Sequence, residues 1–369
     1  MHIVQCLSNS SHGGAQQVVY LLVTTLRKLY PDVRQSVVLP EGGVFGDRFR
    51  SLGIDVYHIS LNRISSSVTG AMRGLFRSVN PSVVHTHGKG AGLYGRRARR
   101  RELQYRTIHS FHGFHPKEGF FRRFTYLHME QSLAGSTDVV VSVSRSEADE
   151  IAEMIPGLSG KISLIPNVVD PAITATEARE DLPDALQDVF RTSSGSFIVT
   201  MIGRDDPLKN YPLAFQTAAL VMEKLKNVDF MLVGGNPDGE DARRVKAAFP
   251  GRLHIIPAVE NTASIIARSS VLLMTSRKEG APLSILEAFA LGIPAVGTNV
   301  PGIRDTISDQ QNGILCDENP ESLCRSLERI VQNPAYLAKL RDGARAAAAQ
   351  FDPLAWGRSY GRVYGLEGG

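Results

Sequence analysis

The chain is predicted to be an α/β protein built as two Rossmann-like halves. Short apolar runs alternate with amphipathic stretches along the whole sequence, the signature of parallel sheets with crossover helices. The pattern closes at KISLIPNVVD (161–170) and restarts at SFIVTMIG (196–203). At 369 residues the chain is also too long for one core of ordinary size.

The elements follow in order. MHIVQCL reads as the first strand, and GGAQQVVYLLVTTLRKLY as a loop entering a helix. QSVVL (35–39), SVVHTH (82–87), YRTIHSF (105–111) and DVVVSVS (138–144) continue the strand series. Residues 171–195, rich in Ala, Glu and Asp, read as a linker plus a variable helix. After SFIVTMIG come FMLVGG (230–235), LHIIP (253–257), VLLMTS (271–276) and PAVGT (294–298), each followed by a helical stretch. The tail FDPLAWGRSYGRVYGL is amphipathic and holds the single Trp. It is expected to pack, over about 352–369, back onto the first half, which gives domains of 1–170 and 171–351.

Composition narrows the class. Hydrophobic residues make up 43% and charged residues 21%, an ordinary soluble profile. No apolar run reaches the length of a membrane span, and MHIVQCLSNSSHGG lacks the parts of a signal peptide, so the expected location is cytoplasmic. Cys6, Cys316 and Cys324 have no metal-ligand spacing and read as reduced thiols. The net charge of +4 hides an asymmetry: residues 1–170 carry 20 Lys/Arg against 13 Asp/Glu, and residues 171–369 carry 21 against 24. RRARRR (96–101) and FFRRF (120–124) hold much of the excess. Either this is a solvated face, or it contacts an anionic surface, and the interleaved aromatics favour lipid over nucleic acid. No nucleic-acid motif accompanies the charge.

In open parallel sheets ligands collect beyond the carboxyl ends of the strands, and two facing sheets would hold a site in the cleft between them. The stretch SRKEGAPLSILEAFALGIPAVGTNVPG (276–302) leaves such an end. Pro282 suits the start of a helix that runs to Gly292, and the free amides near Leu283 and Ser284 can bind phosphate oxygens. Two acids flank that tip, Glu279 in the loop and Glu287 about a turn inside the helix. They are too far apart for one shared proton and suit sugar hydroxyls on either side of a diphosphate. GRDDPLKN (203–210) adds Arg204 and Lys209, cations able to neutralise a departing diphosphate. HGGAQ (12–16) places Gly13 and Gly14 where backbone can approach a phosphate or a sugar, although it is not GxGxxG.

Nine of the ten histidines precede residue 130, several in HTHGKG (85–90) and IHSFHGFH (108–115). They sit on two strand ends without a clean three-ligand set, which argues against zinc. His112 is placed as a donor to a sugar or a leaving phosphate. No DxD-type pair for Mg²⁺ is present, so no metal and no other cofactor is expected; a cationic clamp and a helix tip can do the same electrostatic work.

Taken together, GGAQ, FHG (111–113), IPNVVD (165–170), GR…KN (203–210) and EGAPLSILEAFALGIPAVGT (279–298) resemble the retaining glycosyltransferases of family 4, over nearly the whole chain. The resemblance implies a GT-B fold, an acceptor-binding first domain and a donor-binding second one. It implies metal-independent hexose transfer from a nucleotide sugar, UDP being the more frequent base, with retained anomeric configuration. Arg204 and Lys209 would bind the diphosphate, Glu279 the hexose and Glu287 the ribose. Gly280, Leu283 and Ser284 would complete the donor contacts, His112 would lie near the anomeric carbon, and the segment from His254 to Pro257 would read the base. Asp205 and Asp206 depart from the pattern and lower the local positive charge. The expected acceptor is a polyprenyl-diphosphate-linked glycan in surface polysaccharide synthesis, with the basic first half lying on the inner membrane face. A soluble small-molecule acceptor, an epimerase on the same fold and a silent sugar-nucleotide sensor are the alternatives. The glutamate pair weighs against the epimerase.

Overall fold

The computed structural model describes every residue except 62–64, 117–118, 237 and 368–369, and the side chain of Ala185. Two compact units result: Met1–Val168 with Asp352–Gly369, and Val169–Phe351.

The first unit carries seven strands, β1 (His2–Leu7), β2 (Arg34–Leu39), β3 (Asp55–His58), β4 (Val83–His87), β5 (Arg106–Ser110), β6 (Val139–Ser142) and β7 (Ile162–Leu164). They form one parallel sheet in the order β3-β2-β1-β4-β5-β6-β7. The order reverses between β1 and β4, where Leu7 pairs with His87, and His87 in turn pairs with Ser110 of β5. The second unit carries β8 (Phe197–Ile202), β9 (Val228–Val233), β10 (Leu253–Ile256), β11 (Val271–Met274), β12 (Ala295–Thr298) and β13 (Gly313–Cys316). Its parallel sheet runs β10-β9-β8-β11-β12-β13, with the reversal between β8 and β11. The crevice at such a reversal is where open α/β sheets bind ligands.

The strands are buried on both faces, as helix-covered parallel sheets require. Val199, Phe230, Leu232, Leu273 and Val296 are fully buried in the second sheet, and Val4, Val38 and Val84 in the first. Each such side chain contributes on the order of 1.5–3 kcal/mol. The three cysteines are buried and unbridged. Among the described residues no helix is long and apolar enough to cross a membrane.

Residues 171–195 are more ordered than a linker. Asp170 caps a helix at Pro171–Glu177, and a second helix spans Asp184–Thr192. Leu182 and Leu186 are buried in a cluster with Ile198 and Met231, so this stretch is part of the second unit. At the other end of the chain, Asp352 caps the helix Pro353–Tyr364, accepting from the amides of Leu354 and Ala355 at 2.9 Å. That helix lies on the helix Gly14–Leu29, where a Cβ on Gly357 would meet Thr25 at 2.5 Å.

Candidate active site

The reversal point of the second sheet brings two loops together. The loop after β8 carries Lys209 and the loop after β11 carries Glu279, 70 positions apart in sequence. Lys209 Nζ donates to Glu279 Oε1 at 2.6 Å, and the Ser276 hydroxyl donates to the same oxygen at 2.6 Å. Both side chains are largely covered, at 25% and 12% exposure. An ammonium has three hydrogens, so this bond leaves two for a ligand. Thr275 holds the Lys209 loop by donating to the carbonyls of Lys209 and Asn210, at 2.9 and 3.2 Å. Tyr211 donates to the carbonyls of Gly203 and Val233, clasping the loops that leave β8 and β9. Arg204 stands exposed at the head of its loop. Asp206 is a turn-former: its carboxylate accepts from the Leu208 amide at 2.8 Å. Asp205 is exposed.

The loop after β11 leads into the helix Leu283–Ala290. Pro282 stands one residue before the helix, in extended backbone, and no side chain caps the amides of the first turn. The Ile285 amide bonds to the Pro282 carbonyl, while the helix tip at Leu283 and Ser284 carries the positive end of the dipole. Gly280 is buried directly after Glu279. Gly302, at φ +80°, brings its backbone against this loop: a Cβ there would lie 2.4 Å from the Glu279 carbonyl oxygen.

Glu287 lies in a different environment. Burial pushes its carboxyl up to about 7; the Thr262 hydroxyl, donating at 3.1 Å, pulls the other way, and Glu177 adds like charge. The two glutamates thus occupy separate surroundings, one paired with a lysine and a serine hydroxyl and one whose carboxyl burial raises to about 7.

In the first unit, the loop after β5 holds His112 at φ +55°, a left-handed conformation uncommon outside glycine. Glu147 pins this loop, accepting from the Gly113 amide at 2.7 Å and from Ser142 and Val143 at 2.9 and 2.8 Å. His112 Nε2 lies 2.8 Å from His87 Nδ1, with the rings stacked. Burial alone lowers the His112 imidazole to about 4, so it is neutral at physiological pH. His85 and His109 are likewise tied to neighbours, Ser110 and Tyr364 for the first and Thr86 for the second. Among the described residues no three His, Cys, Asp or Glu side chains are grouped as metal ligands.

Two family models match the chain. One, described as Glycosyltransferase Family 4, matches residues 12–173, and the other, Glycosyl transferases group 1, matches residues 184–348. The chain belongs to glycosyltransferase family 4. Among its relatives is the Escherichia coli UDP-Gal:alpha-D-GlcNAc-diphosphoundecaprenol alpha-1,3-galactosyltransferase, 28% identical in an alignment 277 residues long that covers 70% of this chain and 68% of that protein. A D-inositol 3-phosphate glycosyltransferase of Nocardiopsis dassonvillei is 26% identical over 62% of this chain, which spans about half of that enzyme's length (55%). A phosphatidylinositol N-acetylglucosaminyltransferase component from Arabidopsis thaliana is 24% identical over 86% of this chain and 71% of that protein. In fold, the glycosyltransferase superposes on Anabaena HepE in complex with UDP-glucose with a TM-score of 0.83, at 17% identity and full coverage of both chains. It also matches WaaG, a glycosyltransferase of lipopolysaccharide biosynthesis, with a TM-score of 0.76 at 15% identity and full coverage of both chains.

Other candidate residues of this glycosyltransferase are placed less centrally. Gly13 and Gly14 begin the helix after β1, with no side-chain cap. Gly13 is extended at φ 174°, so its requirement is space rather than handedness: a Cβ would meet the Gln16 side chain at 2.6 Å. His254 is the second residue of β10, 3.3 Å from the Ser193 hydroxyl and away from the strand's carboxyl end, so its ring packs sideways against the Ser193 turn. Pro257 directly follows that strand and is exposed. The basic run is not one face either. Arg96 is fully buried, 2.6 Å from Glu130, because Gly92 opens space beneath the helix Gly88–Ala98. Arg99 pairs with Asp138 at 2.8 Å, while Arg97, Arg100 and Arg101 are exposed. Phe120, Phe121 and Phe124 are 80%, 79% and 60% exposed, which is unusual for three neighbouring aromatics.

Sequence reasoning missed Ser276, Thr262, Tyr211, Gly302 and Glu147. Only two left a signal. Ser144-Arg145-Ser146-Glu147 is a capping-box pattern, and PG at 301–302 is a turn mark.

Proposed function

We propose that the protein transfers a hexose, with retention and without a metal, from a UDP-sugar to a lipid-linked glycan in surface polysaccharide synthesis. The observation that carries this reading is the meeting of Lys209, Glu279 and Ser276 beside an uncapped helix tip at the reversal point of the second sheet. Lys209, Arg204 and the amides of Leu283 and Ser284 bind the diphosphate and stabilise the charge that develops on it as the anomeric bond breaks. Glu279 accepts from hexose hydroxyls and Glu287 from the ribose. Gly280 lets the loop approach closely, and Pro257 lines the base contact through backbone. His112, in the first unit, serves the transferred sugar; Gly13 and Gly14 approach a phosphate or hydroxyl of the substrate with bare backbone. The donor assignment draws support from HepE, whose structures contain UDP and UDP-glucose. The acceptor assignment draws support from the E. coli relative, named for a diphosphoundecaprenol substrate.

Peripheral contact with an anionic inner leaflet rests on Phe120, Phe121 and Phe124 beside Arg122 and Arg123, with Arg97, Arg100 and Arg101 as further cations. The relatives named for inositol phosphate favour a second reading, a soluble phosphorylated acceptor. The test is a thermal-shift screen of nucleotide sugars followed by a transfer assay. At a hundred times its dissociation constant the true donor stabilises the fold by about 2.7 kcal/mol. That donor is then offered with membrane extract and, separately, with soluble phosphorylated sugars and polyols. Product in the lipid fraction supports the first reading and product in the aqueous fraction the second. A donor that binds without turnover leaves only the sensor.

A further inference from the structure

Two consecutive hydroxyls follow β11, and each holds a different member of the Lys209–Glu279 pair. Thr275 donates to the carbonyls of Lys209 and Asn210 and so fixes the lysine by its backbone. Ser276 donates to Glu279 Oε1 and so fixes the glutamate by its carboxylate. Ser276 is itself fully buried and held from behind, because its carbonyl accepts from the hydroxyl of Thr298, also fully buried. Thr298 ends β12, and register brings it there: Met274 of β11 pairs with Gly297 of β12. The serine hydroxyl therefore starts from a rigid point at the end of two paired strands.

This second donor makes the two carboxylate oxygens of Glu279 unlike. Lys209 Nζ and the Ser276 hydroxyl both meet Oε1 at 2.6 Å, which fills the two acceptor sites of that oxygen. Oε2 has no partner among the described residues, and it is not closed off from solvent. A lysine alone would not produce this difference. The terminal torsion of a glutamate is broad and two-fold, so an ammonium can pass from one oxygen to the other or sit astride both. Ser276, three residues before Glu279 and fixed by Thr298, breaks that symmetry.

We propose that Ser276 is a positioning residue that commits Glu279 Oε1 to Lys209 and leaves Oε2 as the oxygen that accepts from hydroxyls of the transferred sugar. Oε2 keeps both of its acceptor sites, so the feature it reads is a pair of neighbouring free hydroxyls. Lys209, anchored on Oε1, keeps its two other hydrogens for the diphosphate. The inference rests on the transferase reading for the identity of its ligand and deepens it by naming the atom that reads the sugar and the side chain that turns that atom outward.

The test is calorimetric titration of the wild type and Ser276→Ala with UDP and with UDP-glucose, UDP-galactose and UDP-N-acetylglucosamine. UDP has no sugar and meets only the phosphate and nucleoside contacts. In Ser276→Ala the tightest-binding UDP-sugar loses roughly tenfold in affinity, while UDP stays within about twofold. Equal loss for both ligands means general damage to the site and overturns the proposal. Loss for neither overturns it, and so does failure of all three UDP-sugars to bind. The route is tested in Glu279→Ala, which still binds a UDP-sugar through its UDP part. There Ser276→Ala changes UDP-sugar affinity by less than about twofold, because the carboxylate it acts through is gone. The same tenfold loss in that background overturns the positioning role. The first comparison stands whether or not the Glu279→Ala protein binds. Sugar-dependent loss without turnover of any donor keeps the positioning role and sinks the transferase reading. Turnover with equal UDP-sugar affinity in wild type and Ser276→Ala does the reverse.

Discussion

Glu287 gives the sharpest test of the donor site, because its carboxyl sits at about 7 and its proposed partner needs it ionised. A ribose diol donates to a carboxylate, so donor binding pulls the group toward ionisation and releases a proton. From that midpoint, about one-eleventh of the carboxyl is ionised at pH 6 and about ten-elevenths at pH 8. Donor affinity therefore rises about tenfold between those limits, with about half a proton released per donor at pH 7. The assay is calorimetry with an intact nucleotide sugar, whose diphosphate does not titrate in this range, in buffers of different ionisation heat. Glu287→Gln keeps the shape, loses the titration and gives a flat profile. The same shift fixes a stability trend. Below pH about 4.5 the group is protonated in both states; between there and about 7 only the native state holds the proton. Stability therefore falls as pH rises through that window, by at most about 3 kcal/mol before solvent screening of the half-buried side chain. A wild-type affinity independent of pH, or a Gln variant that keeps the slope, would refute the reasoning.

Lys209→Ala removes one charge-assisted bond to the leaving diphosphate, worth about 1.5–3 kcal/mol, and slows transfer on the order of 10- to 100-fold in a steady-state assay, while the fold survives as judged by circular dichroism. Arg96→Met leaves Glu130 buried without its partner and destabilises by about 3–5 kcal/mol in urea denaturation, whereas Arg96→Met with Glu130→Leu recovers most of the loss. Gly302→Ala forces a Cβ toward the Glu279 carbonyl at a left-handed position and costs about 1–3 kcal/mol, read as a lower Tm together with weaker donor binding. Replacing Phe120, Phe121 and Phe124 with Ser abolishes sedimentation with anionic vesicles and leaves turnover of a soluble acceptor analogue intact.

Most strands were legible because apolar runs are set off by amphipathic crossovers, and the loops after β8 and β11 because Gly and Pro punctuate them; β3 (DVYH) and β13 (GILC), four residues each, are too short to stand out and went unread. What placed those loops side by side was strand order, which periodicity does not encode; Lys209 and Glu279 meet only because β8 and β11 are neighbours. Arg96 read as surface charge because its partner Glu130 lies 34 residues downstream and Gly92 makes the room. The stretch 171–195 read as a linker because its apolar residues are sparse, yet Leu182 and Leu186 suffice to dock it. The histidines read singly as candidate ligands or donors; their pairing through Gln5 and Tyr364 joins opposite ends of the chain and leaves no local trace.

The central claim concerns where the activated sugar sits, and a crystal structure with a non-hydrolysable nucleotide-sugar analogue tests it most directly. Diphosphate oxygens are expected within hydrogen-bonding distance of Lys209 Nζ and the Leu283 and Ser284 amides, with Glu279 on the hexose and Glu287 on the ribose. A diphosphate bound elsewhere, with the Lys209–Glu279 pair untouched, would contradict it.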